Sequence, residues 1–109
     1  MSKIISYDEV EDTLFIHEGF DSDEKFKGNI DLGKVVFDLS TKGHVRGVEI
    51  MDASLFFKSV GLDPEQLKTI EGASIKSSRS HESIIIFLSI KTAKIEARIP
   101  IPVSLAMPA

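Results

Sequence analysis

The chain has 109 residues, 42% hydrophobic and 28% charged, with a formal net charge of −4 and no cysteine. That length suits one domain burying about two-thirds of its unfolded surface, and the composition argues against disorder. No apolar run approaches the roughly 18 residues of a membrane span, residues 1–7 read as entering a strand rather than as a signal peptide, and the lack of cysteine excludes a disulfide framework and thiolate chemistry; the expected location is cytoplasmic.

Residues 4–7 read as a first strand and 8–12 as a polar connection, followed by a second strand at 13–17, rich in β-branched and aromatic residues. Residues 18–27 are charged and aperiodic, anchored only by Phe20 and Phe26, and are expected to be a mobile loop. Residues 28–33 carry turn chemistry at Gly28, Asn29 and Gly33. A third strand at 34–39 is apolar on both faces except at Asp38, which predicts a central position. After a turn at 40–43, a fourth strand spans 44–50, where Gly47 marks a bulge or a close backbone approach.

Asp52 is the expected N-cap of a short helix at 53–60, with Gly61 as its stop. Around a second helix, Asp63 can cap, Pro64 suits the first helical position, Gln66 can close a capping box, and Leu62 can staple Leu67. That helix should stop at Gly72. Residues 73–79 form a weak, polar edge strand, and 83–90 a strongly apolar one. At 93–101, Ala93, Ile95, Ala97, Ile99 and Ile101 share one face, with Lys94, Glu96 and Arg98 on the other. Pro100 and Pro102 put this strand at an edge. Residues 103–109 are a short apolar tail.

Charge is uneven: residues 1–54 hold twelve acids and six bases, and 55–109 hold five and seven. Turns and caps account for most of the acids, and an acidic chain lacks the footprint of a nucleic-acid binder. Lys76, Arg79, Lys91, Lys94 and Arg98 could cluster, but no exposed aromatics interleave with them, so nucleic-acid binding is not expected.

Asp8 and Asp12 are the metal candidates, in a cluster with Glu9 and Glu11 that could offer hard oxygen ligands. Their spacing lacks the EF-hand series, and turn formation explains both, so neither a metal nor a cofactor is expected. Asp38 and Glu49 lie inside apolar strands, where a carboxylate needs a partner or a raised pKa. With His17 or His44 in one cleft they would be the catalytic candidates; otherwise Asp38 falls at a strand end and Glu49 faces water or pairs with Arg46 or Lys34. His17, His44 and His81 show no ligand spacing, and Ser77 to Ser83 places Ser, His and Glu on one hairpin tip, where no triad assembles.

The ordered set Tyr7-Asp8…Asp12-x-Leu14-Phe15-Ile16, Gly33-Lys34-Val35-Val36-Phe37-Asp38-Leu39 and Gly43-x-Val45-x-Gly47-Val48-Glu49-Ile50-x-Asp52-Ala53-Ser54 resembles the family called domain of unknown function 2283. The resemblance covers about residues 3–57. It implies a compact β-meander followed by a helix and no activity.

The expectation is a single α+β domain over 1–109. A mostly antiparallel meander sheet of about seven strands has two short helices inserted in its middle, with 3–57 the family-like part and 62–103 the extension. Two functions are expected. The first is a non-enzymatic homodimer that associates through edge strands 73–79 and 93–101 and the apolar tail. The alternative is an enzyme or small-ligand binder using Asp38, Glu49 and a nearby His.

Overall fold

Leu14 and Ile16 alternate with Thr13, Phe15 and His17 along one strand, and neighbouring strands keep the same period, so one sheet face is apolar and the other mixed. The structure, a computed structural model, describes residues 3–104. Five antiparallel strands, β1 (Ile4–Asp8), β2 (Thr13–His17), β3 (Phe26–Asp31), β4 (Val35–Ser40) and β5 (Val45–Ile50), lie in the order β1-β2-β5-β4-β3. Helix α1 (Ala53–Ser59) and a 3₁₀ helix (Pro64–Thr69) lead to a second antiparallel sheet, β6 (Gly72–Arg79), β7 (Ser83–Lys91) and β8 (Glu96–Ser104), in the order β6-β7-β8.

Register stacks the core in rows. Ile16, Val48, Phe37 and Ile30 align across β2, β5, β4 and β3, and Leu14, Ile50 and Val35 form the next row on that face. Ile84, Ile86, Leu88 and Ile90 of β7 and Ile99, Ile101 and Val103 of β8 join the same core, with Phe57 and Leu67 from the helices. Burying each such side chain stabilises by about 1.5–3 kcal/mol, whereas an exposed ion pair gives about 1 kcal/mol or less. Packing therefore decides the fold.

The mostly antiparallel character with short helices is as expected, but there are eight strands in two sheets rather than about seven in one. Phe26–Asp31 is the added strand. Its Gly28 and Asn29 read as turn residues, yet an edge position and a bulge between Phe26 and Gly28 accommodate them. The central strand of the first sheet is β5, with β4 beside it. Thr92 shortens the last strand: its hydroxyl accepts the Lys94 and Ile95 N–H groups, so residues 92–95 turn and β8 begins at Glu96. The alternation of Ile99 and Ile101 against Arg98 and Pro100 is as read. Residues 105–109 of the apolar tail lie outside the described residues.

Helix α1 is not capped by Asp52. That residue takes a left-handed φ of 51° and makes no side-chain cap. Asp12 caps it instead, from 42 residues before Ser54: its carbonyl accepts Ala53 N–H at 2.9 Å and its carboxylate accepts Ser54 N–H at 3.1 Å and the Ser54 hydroxyl at 2.9 Å. At the other end Gly61, at φ 80°, lets the Leu62 N–H reach Phe57 O at 2.8 Å, so the stop is as expected. Asp63 caps the 3₁₀ helix through Glu65 N–H at 2.9 Å, but Gln66 closes no capping box. Its side-chain oxygen accepts the buried Thr92 hydroxyl at 2.6 Å, tying this helix to the β7–β8 turn.

The sheet edges are treated unequally. On the free side of β6, Glu18 accepts Ile75 N–H at 3.0 Å and Lys3 donates to Ala73 O at 2.7 Å, the two side chains being an ion pair at 3.2 Å. They take the place of a neighbouring strand. These outward groups fix the alternation, which turns residues 98, 100 and 102 of β8 outward as well. Pro100 and Pro102 thus remove two donors from that free edge. The outer side of β1 faces the 3₁₀ helix across a 260 Å³ cleft lined by Ile5, Tyr7, Leu67 and Ile70 and bridged by Lys68 and Glu9 at 3.4 Å. On β3, no hydrogen bond or ion pair covers the outer edge among the described residues.

Candidate functional site

Strands β2, β5 and β4 set His17, Gly47 and Asp38 opposite one another on the face turned from the core. Asp38 lies directly opposite Gly47, and the register shifts just beyond this pair, where Arg46 is the extra residue of β5. A Cβ on Gly47 would lie 2.7 Å from Asp38 Oδ2 and 2.8 Å from His17 Cδ2, so only glycine leaves room for the two side chains to approach. His17 Nε2 stands 3.9 Å from Asp38 Oδ2, and its ring packs edge-on against Phe20 at 5.0 Å. The close approach expected at Gly47 is therefore present, and two of the catalytic candidates meet there.

His17 offers no free base. His17 Nδ1 accepts Gly19 N–H at 2.8 Å, which leaves the proton of the neutral ring on Nε2, facing Asp38. A general base needs an unprotonated nitrogen aimed at a substrate, and neither nitrogen is so placed. Glu49 lies in the adjoining row, opposite Phe15 and Val36. Its expected partners are engaged elsewhere: Lys34 with Asp52 at 2.7 Å, and Arg46 with Glu24 and Asp21.

His44 belongs to a second cluster, with Glu24 at its centre. The Glu24 side chain is 0% exposed, and Oε1 accepts Arg46 Nε at 2.7 Å and Asp21 N–H at 2.9 Å. Arg46 also bonds Asp21 Oδ2 at 3.1 Å and contacts His44 Nδ1 at 3.0 Å. Oε2 makes no hydrogen bond of ordinary length; it faces His44 Nδ1 at 3.5 Å, with the Ser40 hydroxyl nearby. Burial opposes the charge, but the Asp21 amide, the Ser40 hydroxyl and Arg46 outweigh it and hold the carboxyl down at about 2. The segment from 18 to 25 is thus pinned to β5 rather than loosely attached.

Glu24 is not among the candidates that the sequence offers, although it carries a signal. Asp21-Ser22-Asp23-Glu24 has capping-box spacing, and one half of the box forms: Asp21 N–H donates to the Glu24 carboxylate at 2.9 Å, while Glu24 N–H goes to the Asp21 backbone carbonyl at 3.1 Å rather than to its side chain. With no apolar run behind it, that pattern reads as mere loop charge.

The metal candidates are occupied by the chain itself. Asp8 Oδ1 accepts Val10 and Glu11 N–H at 2.9 and 3.1 Å. Asp12 accepts the Tyr7 hydroxyl at 2.6 Å besides capping α1; burial raises its pKa, and the Tyr7 and Ser54 bonds bring it below the usual carboxylate range. Asp12 in turn pushes the Tyr7 hydroxyl up. No group of three His, Asp or Glu that could hold a metal occurs among the described residues, nor is any helix long and apolar enough to cross a membrane. A 380 Å³ groove beside α1 is lined by Val35, Ile50, Met51, Leu55 and Phe56, with Leu55 66% exposed; it contains none of the catalytic candidates.

These features define an antiparallel β domain with a helical insertion, whose acidic side chains cap, turn and pin the chain. Residues 4–54 match the model of the family described as "Protein of unknown function (DUF2283)", so the resemblance carried by the motifs stands over that segment, and residues 55–109 lie outside it. No curated protein and no solved structure matches the chain.

Proposed function

We propose that the chain is a non-enzymatic, cytoplasmic protein-interaction module that acts as a homodimer, without metal, cofactor, nucleic acid or membrane. The observation that carries this reading is the unequal treatment of the sheet edges. Side chains occupy β6, prolines blunt β8 and the 3₁₀ helix flanks β1, while β3 has no cover among the described residues. An uncovered edge is a template for another strand, and proteins that do not use one usually disguise it. The surface for self-association accordingly moves from 73–79 and 93–101 to β3.

A second reading keeps a small-ligand site at Asp38, Glu49 and His17, and its support is the His17–Asp38 approach over Gly47. Native mass spectrometry of the protein purified from its own cells separates the two. A species of twice the 12.0 kDa chain mass supports the first reading. A monomer carrying a small-molecule adduct, lost in a His17→Ala/Asp38→Ala variant, overturns it in favour of the second.

A further inference from the structure

We infer that the homodimer forms by antiparallel pairing of β3 with β3 of a second copy, about a two-fold axis at Ile30, joining the two five-stranded sheets into one. This rests on the self-association reading and names its surface.

The backbone alternation sets which groups are free. Leu32 N–H donates to Val35 O at 2.9 Å, so these two form a hydrogen-bonded pair at the β3–β4 turn. Pairs along an antiparallel ladder then alternate, which turns the N–H and C=O of Asn29 and Asp31, opposite Asp38 and Val36, away from β4. Placing Ile30 opposite Ile30 of the partner subunit sets Asn29 opposite Asp31 of the partner subunit, and every outward group on both residues acquires a bond. No other strand of the chain is needed.

The side chains suit that register. Ile30 packs against the core edge and Leu32 is 49% exposed on the same face. Pairing extends the apolar layer: Ile30 meets its own copy, and Leu32 lies over Gly28 of the partner subunit, which has no side chain to oppose it. On the other face, Asn29 can bond the Asp31 carboxylate of the partner subunit. Lys27, the residue added by the bulge next to the paired segment, makes no ion pair within its own chain among the described residues, and its long side chain can reach Asp31 of the partner subunit from there. Opposite charges on either side of the two-fold axis attract a second copy and offer little to an arbitrary apolar strand. The charges that would disguise this edge thus select its partner.

Three variants of the full chain test this by light scattering and oxidative cross-linking. Asn29→Pro removes an N–H that β4 does not use, so circular dichroism should stay native while dimerisation weakens on the order of tenfold or more, from the lost bond on each copy. Lys27→Asp should weaken it on the order of tenfold through like-charge pairs. Ile30→Cys, the sole cysteine in the chain, should form a covalent dimer on oxidation, because the two-fold axis sets the thiols opposite each other. A wild-type dimer that Asn29→Pro and Lys27→Asp leave intact, or whose Ile30→Cys form does not cross-link, overturns the β3 interface while leaving self-association standing. A wild-type chain that is monomeric throughout overturns both.

Discussion

Gly47→Ala should destabilise the protein, although alanine usually favours a folded chain over glycine. Replacing glycine where the backbone permits gains about 0.4–1 kcal/mol by restricting the unfolded chain. Here the new Cβ would sit 2.7 Å from Asp38 Oδ2, 2.8 Å from His17 Cδ2 and 3.2 Å from Asp38 Cβ. The carboxylate can rotate away, but Asp38 Cβ is fixed by β4, and the imidazole is held by the Gly19 N–H. β5 has a strand on both sides and cannot shift to make room. Overpacking of this kind costs about 1–3 kcal/mol. The clash outweighs the entropy gain, for a net loss of roughly 1–2 kcal/mol. Urea unfolding followed by circular dichroism measures it, and the same substitution in a His17→Ala/Asp38→Ala background supplies the control. With both neighbours truncated, only the 3.2 Å approach to the Asp38 Cβ position remains, so alanine should cost clearly less than in the wild type. If Gly47→Ala costs the same in the two backgrounds, the close approach is not what demands glycine.

Glu24 sets an acid limit. Its folded pKa of about 2 lies below the ordinary 4.5, so the stability it contributes is fully present above pH 4.5 and is lost as pH falls toward 2. Glu24→Gln should lower stability at pH 7 and flatten the dependence between those values, as read from urea midpoints across pH. Asp12→Ala should cost about 1–2 kcal/mol through the lost cap, whereas Asp52→Asn should stay within about 0.5 kcal/mol, since Asp52 holds only an exposed ion pair; equal losses in thermal unfolding would return the cap to Asp52. Pro100→Thr/Pro102→Thr restores two outward donors to β8, and static light scattering should then show concentration-dependent assemblies larger than the wild type's; an unchanged mass would mean the prolines do not protect this edge.

What could be read in advance was whatever local chemistry decides. The β2, β4 and β5 strands, the Gly61 stop, the Asp63 cap and the alternation in β8 follow from patterns within a few residues. Gly47 was legible for the same reason, as a glycine inside an otherwise apolar strand. Apart from the Thr92 turn that delays β8, the misreadings turn on partners distant in the chain. β3 has the composition of a turn and becomes a strand only because β4 offers it a ladder. Asp52 has the right position for a cap, but Asp12 arrives from the end of the first hairpin and takes the role. Gln66 fits a capping box until the buried Thr92 hydroxyl claims its oxygen. The candidate site follows the same rule: His17 and Asp38 converge because β5 separates β2 from β4, a sheet order that local sequence does not encode. Glu24 lies hidden for the converse reason, since a charged loop residue is buried only when Arg46 and Ser40 are brought beneath it.

Sedimentation equilibrium of the wild-type chain against Asn29→Pro, over a wide concentration range, decides whether two copies pair through β3. A β3 interface predicts a mass that approaches twice 12.0 kDa for the wild type, with the same rise displaced to concentrations about tenfold or more higher for the variant. Equal masses for the two, whether monomer or dimer, would contradict it.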